Sequence, residues 1–592
     1  MHRSLRAALI ALAAGVTVAS GAVPVSAAPA TPVLPASSAD PGPKDVIVHL
    51  FEWPWASVAS ECVNVLGPKG FGGVQVSPPQ EHVVLPGAGY PWWQDYQPVS
   101  YRLESRRGDR AAFANMVSTC HGAGVQIYVD AVLNHMAGGA STGAGSDGSS
   151  YSHYGYASVP YGTGDFHHCG RNGNDDIANW TDRWEVQNCE LVDLSDLNTE
   201  SSYVRGKLGA YLADLRSLGV DGFRVDAAKH VPVADLQAIY AQAGGGYVYQ
   251  EVIEGGPGEI SPTEYTGIGD VTEFRYGDVV GNAFRDGNLA NLNNLAGSML
   301  LGSADAVAFV DNHDTQRNGR ARLTYKDGNA YALAEAFMLA WPYGVPQVMS
   351  SFSFGGPDQG PPAAGDGTTS PVSCGNGWVC EHRWRTTANL VGLRNATSGA
   401  AVTNWWSNGS SQIAFGRAGK GYVAFNRDGG TLSRTFQTDL PAGSYCDVAN
   451  GDFAGGGCSG AVYTVDSSGR FTASLPPGGM LALHVGARTA GGGGCTSVAV
   501  TFAVDATTVW GENVFVEGNR PELGNWDTNA GLALSSATYP VWRGAVNLPP
   551  GTTFEYKYIK KNGAQVSWET GANRVRATDT ACTMTADDTW RN

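Results

Sequence analysis

The chain has 592 residues, enough for several domains, and its 54 acidic against 38 basic side chains give a formal net charge of −16. That balance argues against nucleic acid and anionic membranes as partners and leaves neutral polymers open. Aromatic residues make up 10% and include 16 Trp, which suits either a large core or a surface that stacks on sugar rings.

The first residues, MHRSLRAALIALAAGVTVASGAVPVSAAPA, carry Arg3 and Arg6 ahead of an apolar run from about Ala7 to Val23. Val25-Ser26-Ala27 fits a small-residue cleavage site, so residues 1–27 read as an export leader. A membrane anchor is the alternative. The small residues and flanks disfavour it, and no later segment reaches the ~18 uninterrupted apolar residues of a spanning helix. Residues 28–45, rich in Pro, Ala and Ser, read as an irregular lead-in. Ten Cys in an exported chain predict disulfides, and no CxxC pair suggests zinc.

From Val46 to about Arg394, short apolar strands alternate with helical stretches. VIVHLF (46–51), GVQVS (73–77), VQIYVD (125–130), GFRVD (222–226), YVYQE (247–251) and AVAFVD (306–311) read as strands. Leu208, Leu212, Leu215 and Leu218 recur at helical spacing, and Gly219 stops that helix. Such alternation predicts a (β/α)8 barrel, with a doubly wound sheet as the alternative; the order of carboxylates at strand ends favours the barrel. One connection is too long. Between Asp130 and a helix starting near Tyr203 lies a Gly-, Ser- and Asn-rich stretch with two Cys, and so large an irregular insert is usually functional.

From about Ala400 to Val485 the pattern turns to short alternating strands such as SQIAFGR and GYVAFNR, which predicts an all-β sandwich. A Gly-rich linker (488–494) follows, and residues 495–592 form a second β module. The expected fold class is therefore α/β: a TIM barrel (46–136 and 203–395) with a small domain inserted after its third strand (137–202), then two all-β sandwich domains (396–487 and 495–592).

Within GFRVDAAKH (222–230), Arg224 and Asp226 stand at i and i+2 of a strand and so share a face. The guanidinium keeps the carboxylate ionised and oriented, as a nucleophile requires. Four segments carry acids at strand ends: DAVLNH (130–135), GFRVDAAKH, EVIE (251–254) and FVDNHD (309–314). In this order they closely resemble the signatures of the α-amylase family, glycoside hydrolase family 13. The resemblance implies that Asp226 is the nucleophile, Glu251 the general acid/base and Asp314 the stabiliser of the transition state. Two nearby anionic Asp should raise the pKa of Glu251, as an acid catalyst needs. His135 and His313 are expected to donate hydrogen bonds to sugar hydroxyls. In YPWWQDYQPVSY (90–101), Trp92, Trp93, Tyr96 and Gln97 match the family's sugar-stacking segment. Core packing is plausible for Trp92 and less so for Trp93 and Tyr96, beside polar Gln94, Asp95 and Gln97. Arg224, Lys229 and Glu254 match substrate-contacting positions, although Lys229 and Glu254 could be solvated.

By the same resemblance, Asn134 and Asp196 supply side-chain ligands to a structural Ca²⁺, and the carbonyls of Gln187 and His230 complete the protein shell. One ion would then tie the barrel to the insert. Animal-type relatives bind an activating chloride with two Arg and one Asn. Arg224 and Asn312 match, but Gln347 stands at the third position, so activity without chloride is expected. The segment after Asp314, TQRNGRAR, also lacks the Gly-rich mobile loop of the animal enzymes. The resemblance pairs Cys62 with Cys120, Cys169 with Cys189, Cys374 with Cys380 and Cys446 with Cys458; Cys495 with Cys582 would brace the last module.

That module resembles carbohydrate-binding family 20, the starch-binding module. Trp526, Lys557 and Trp568, with Asn573 nearby, match one glucan site; Trp510 and Tyr539 match a second. Trp542 is assigned to the core. Together these features imply a secreted, calcium-dependent enzyme acting on starch and α-glucans, with endo-cleavage of α-1,4 bonds and retention of configuration; no feature of the sequence speaks to oligomeric state, for which a monomer is the default expectation. Two rivals stand beside it: a maltooligosaccharide-forming exo-enzyme or cyclodextrin-type transferase of the same family, and a catalytically silent starch binder.

Overall fold

The computed structural model describes residues 42, 44–139, 142–489, 498–549, 552–578 and 583–592. The leader, most of the lead-in and of the linker, and Cys495 and Cys582 lie outside the described residues.

Eight strands close into an all-parallel barrel. They are β1 (Ile47–Leu50), β2 (Gly73–Val76), β3 (Gln126–Val132), β4 (Gly222–Asp226), β5 (Tyr247–Gln250), β6 (Asp270–Glu273), β7 (Ala306–Ala308) and β8 (Val345–Ser350). Each pairs with its neighbours in chain order, and β8 closes on β1. Period-2 alternation sorts their side chains. Phe223 and Val225 of β4 join the apolar cluster beneath the helices, while Arg224 and Asp226 meet polar partners inside the barrel. A separate apolar plug of Ile47, Tyr128, Tyr247, Tyr249 and Val307 fills the lumen. Tyr128 needs glycine on both sides: a Cβ on Gly73 would come within 2.3 Å of its ring, and one on Gly222 within 3.1 Å.

Two strands escape the sequence pattern. Asp270–Glu273 has carboxylates at both ends and no apolar run; Glu273 accepts from Leu300 N and Leu301 N at 2.8 and 2.7 Å. Val345–Ser350 contains Pro346 and Gln347, and pattern reading marks it only as an anion-site segment. Two acids also sit elsewhere than at strand ends. β3 continues past Asp130 to Val132. Asp314 lies six residues beyond β7, at the start of a short helix, Thr315–Asn318.

The Leu-spaced helix spans Ser202–Ser217 and buries Leu208, Leu212 and Leu215. Gly219 ends it at φ +98°, a conformation that costs glycine little. The insert attaches to the barrel through an antiparallel ribbon, His135–Gly138 against Leu194–Asp196, in which His135 pairs with Asp196.

Beyond the barrel, Val402–Ser407, Gln412–Arg417, Gly421–Asn426 and Met480–His484 form an antiparallel sheet in that order. Ile413, Phe415, Val423 and Phe425 pack into the same cluster as the barrel helices. The opposite face joins Leu432, Phe436 and Phe471 in a second core. Residues from Val498 onward form two further sheets around Phe502, Val516, Trp542 and Tyr556.

Four disulfides join Cys62–Cys120, Cys169–Cys189, Cys374–Cys380 and Cys446–Cys458. Cys62–Cys120 closes a loop of 58 residues, worth roughly 3–5 kcal/mol in the chain-entropy account. No described helix is long and apolar enough to cross a membrane.

Candidate active site

One guanidinium organises the C-terminal face of the barrel. Arg224 Nη1 donates to Asp130 Oδ1 at 2.7 Å and to Asp226 Oδ1 at 2.5 Å, and Nη2 lies 3.0 Å from Glu251 Oε2. Asp130 and Arg224 are directly paired residues of β3 and β4, and Asp226 closes β4. Glu251 follows β5 at once and takes a second bond, from Ala227 N at 3.1 Å. Ala227 delivers that N–H from a left-handed conformation, φ +48°, unusual for a residue with a Cβ and a form of strain that clusters at functional sites.

The surrounding polar groups are bonded in turn. Asp130 Oδ2 accepts from Gln75 Nε2 at 3.0 Å and from Tyr96 OH at 2.9 Å. Gln75 Oε1 accepts from Tyr249 OH at 2.8 Å and Gln347 Nε2 at 2.6 Å, and Gln347 also reaches Tyr249 OH at 3.1 Å. Asn312 Oδ1 accepts from the backbone N–H of Asp314 and Thr315 at 3.1 and 2.8 Å, fixing the turn that presents Asp314. Gln75, Asp130 and Tyr249 thus complete a network that motif matching alone did not assemble. Their inward positions in GVQVS, VQIYVD and YVYQE were the available signal.

Burial dominates the electrostatics. It is the largest cause raising the carboxyl of Glu251; Arg224 opposes it and Asp226 adds like-charge repulsion. Repulsion is therefore the smaller contribution, contrary to the expectation from charge alone. Asp314 is raised by burial and then by Glu251, and the two share a side-chain hydrogen bond. Asp130 is pushed up to about 7, chiefly by burial. Burial also keeps His313 and His135 neutral, the latter lowered to about 4.

Several expected contacts differ in kind. Gln94 and Asp95 are fully buried, so polar neighbours do not mark exposure here. Tyr96 is 7% exposed and stacks on His313 at 5.2 Å, which makes it a wall of the site rather than an open platform. Trp92 and Trp93 are half-buried and donate to Pro357 O at 2.8 Å and Asp358 Oδ1 at 3.2 Å. Gln97 accepts from Gly138 N at 3.0 Å. His135 Nε2 meets the Tyr96 carbonyl at 3.0 Å, so this nitrogen is committed to the backbone. Lys229 is buried and pairs with Glu259 at 2.7 Å; Glu254 pairs with Arg275. Neither is simply solvated.

The segments named for calcium converge. Asn134 and Asp196 are buried, His135 pairs with Asp196 in the ribbon, and Leu197 N donates to Asn134 O at 2.9 Å. His230 Nδ1 meets Val186 O, one residue before Gln187, at 3.0 Å. The expected donors, an amide oxygen, a carboxylate and two main-chain carbonyls, would make a hard-oxygen set of the kind that suits Ca²⁺. Asp196 also holds His167 Nδ1 at 2.6 Å. A separate group, His153, Glu190 and Asp193, brings its donor atoms within 4.8 Å of one another in the insert.

In the terminal module Trp510 is fully exposed, Tyr539 is 52% exposed and Trp568 40%. Trp526 lies 6.2 Å from Trp568, ring to ring, at 44°. Lys557 Nζ donates to Glu569 O at 3.3 Å, and Asn573 Nδ2 to Glu555 Oε2 at 2.8 Å. Trp542 is buried in the core.

Family descriptions match three stretches: "Alpha amylase, catalytic domain" over residues 74–248, "Alpha amylase, C-terminal all-beta domain" over 405–486, and "Starch binding domain" over 497–588. The chain is 49% identical to an α-amylase of Thermomonospora curvata and 47% identical to one of Streptomyces violaceus, each over the whole of both chains. The crystal structure of α-amylase I from Eisenia fetida superposes with a TM-score of 0.71 at 42% identity, over 75% of this chain and 97% of that one.

Proposed function

The chain belongs to the α-amylase family, and on that premise we propose how its residues divide the work. Its activity is endo-acting hydrolysis of α-1,4-glucosidic bonds in starch, and its terminal module binds starch.

Asp226 attacks the anomeric carbon while Glu251 gives its proton to the glycosidic oxygen, so that the leaving chain departs neutral. Water then enters, Glu251 takes its proton, and the glycosyl–Asp226 bond breaks with net retention. Asp314 faces the positive charge that develops on the sugar. The observation that carries this reading is Arg224 held on Asp130, Asp226 and Glu251 together. A pair of carboxyls on neighbouring nitrogens of one guanidinium suits the close spacing of retaining enzymes, about 5–5.5 Å. Burial supports a protonated Glu251 as the acid. Trp92, Trp93, Tyr96, Gln97, His135, Lys229, Glu254 and His313 line the glucan path.

Asn134, Asp196 and the carbonyls of Gln187 and His230 would hold Ca²⁺. The ion would supply a mechanical tie between the insert and the segment that follows β3. Chloride is not required: Gln347 places a neutral amide, already bonded to Gln75 and Tyr249, where an anion would need a cation. Trp526, Lys557, Trp568 and Asn573 form one glucan surface of the module and Trp510 and Tyr539 the other. The protein is an exported monomer; the leader-like start and the disulfides support export.

The test follows reducing-sugar release and iodine staining together on soluble starch, with Asp226→Asn as control. Early loss of colour with few reducing ends is expected. Reducing ends rising while colour persists would mean an exo-enzyme. Release by Asp226→Asn at the parental rate would remove the assigned nucleophile.

A further inference from the structure

Arg317 lies one helical turn after Asp314, and aromatic rings rather than carboxylates enclose its guanidinium. The Cζ atom stands 4.9 Å from the ring centroid of Phe51, 5.5 Å from Trp92, 4.9 Å from Phe352 and 4.3 Å from Phe354. Nη1 donates to the carbonyl of His313 at 2.7 Å. Nε and Nη2 are buried and meet no acceptor. Two unmatched buried donors on a cation are costly. Ring faces carry the negative side of a quadrupole and offset that cost. Burial draws the guanidinium down to about 10, so it stays charged at neutral pH.

Two of the four rings also clamp the active site. Phe51 stacks on His313 at 4.9 Å, and Trp92 meets the same imidazole edge-on at 5.5 Å. Tyr96 stacks on His313 at 5.2 Å. The cation, its rings, the His313 ring and the His313 carbonyl therefore form one packed unit, and Asp314 is the next residue along the chain.

We propose that Arg317 is a positioning residue of the active site: by gripping the His313 carbonyl and the Phe51 and Trp92 faces at once, it fixes the backbone from which the Asp314 carboxylate projects. It forms no ion pair with Asp314, although the two charges attract through space, and it holds that carboxylate in place through its neighbours. The inference rests on the role given to Asp314 above. A misplaced stabiliser weakens the transition state more than the bound substrate, so the loss should fall on kcat rather than KM.

Steady-state kinetics of the full chain on a maltooligosaccharide test this, with Arg317→Met, Arg317→Lys, Lys326→Met and Asp314→Asn in parallel. Arg317→Met should lower kcat about 30-fold with KM within about 3-fold of the parent. Arg317→Lys keeps the charge among the rings but loses the planar fork, and should fall between. Lys326 also lies over Phe354, at 3.7 Å, and bonds the Phe354 carbonyl rather than that of His313; Lys326→Met should keep the parental kcat. A kcat for Arg317→Met within about 2-fold of the parent overturns the proposal, as does a loss that only tracks the unfolded fraction in thermal melts. If Arg317→Met does not fold, Arg317→Lys decides: parental kcat overturns the proposal, and lowered kcat at unchanged Tm supports it. Asp314→Asn separates the two readings. Parental activity there removes the role of Asp314 itself, whereas an inactive Asp314→Asn beside a fully active Arg317→Met removes only that of Arg317.

Discussion

The barrel face and the terminal module both offer aromatic rings and charged groups to a glucan, and they do so by opposite means. In the barrel Asp130, Tyr96 and His313 are almost wholly buried, and the carboxyl oxygens of Asp130 and Asp226 that meet Arg224 are fixed at 2.5–2.7 Å. In the module the rings are held open: Trp510 is fully exposed and Trp568 is 40% exposed. The difference teaches what each task demands. Cleaving the bond needs charges kept apart from water and unable to reorient, because stabilisation is strongest where the surroundings need not rearrange. Catching an insoluble polymer needs faces that a flat substrate can reach, and effective concentration does the rest.

The sharpest way to break this division is to damage one side and read the other. Asp226→Asn should lower kcat on soluble starch by about 10⁴-fold or more while leaving granule binding unchanged, measured by depletion of protein onto washed starch. The converse, Trp526→Ala with Trp568→Ala, should weaken granule binding about 10–100-fold with kcat/KM on soluble starch unaltered. A fall in soluble-starch kcat/KM for the double variant would show that the module takes part in catalysis after all. Calorimetry with and without a calcium chelator comes next. The transition of the barrel should fall by about 10 °C and that of the module by no more than about 2 °C, because the ligand segments belong only to barrel and insert.

A smaller effect lies inside the module. Glu569, beside Trp568, is buried and bonded by Arg574 at 2.8 Å and Arg591 at 3.1 Å. Burial works against its charge, but the two guanidinium groups and Tyr558 N overcome it and hold the carboxyl below its usual range. Such a group contributes stability above its unfolded pKa of about 4.5, and the contribution is lost as pH falls through the lower folded value. Glu569→Gln should therefore lower the module's Tm by a few degrees at neutral pH and flatten the loss on acidification. The smallest expected change is in salt response: activity in chloride-free buffer should stay within about 2-fold of that in chloride, since Gln347 supplies no cation. Strict chloride dependence would contradict that reading of Gln347.

Much of the site was legible because its chemistry is local. Arg224 and Asp226 two apart on a strand must share a face, and GFRVD places both in the lumen. The Leu208–Leu215 stripe was readable for the same reason, whereas the four disulfide pairings followed only from the family resemblance, since Cys62 and Cys120 stand 58 residues apart. What escaped depends on contacts between distant segments. Polar Gln94 and Asp95 argued against core packing of the rings beside them, yet Asp95 is itself buried against His82 and Arg107, more than ten residues away on either side. The strand Asp270–Glu273 carries no apolar pattern because its end residue serves neighbouring backbone rather than the core. Gln75 and Gln347, 272 residues apart, meet only once the barrel has closed.

That meeting has a mechanical side. A closed ring of strands can be squeezed into an ellipse with little harm to its ladders, which makes ovalisation its softest deformation. Gln75 on β2, Tyr249 on β5 and Gln347 on β8 are bonded to one another across the lumen, like spokes meeting at a hub. Spokes oppose flattening in any direction, so they brace the rim that carries Asp226 and Glu251 against a change of shape.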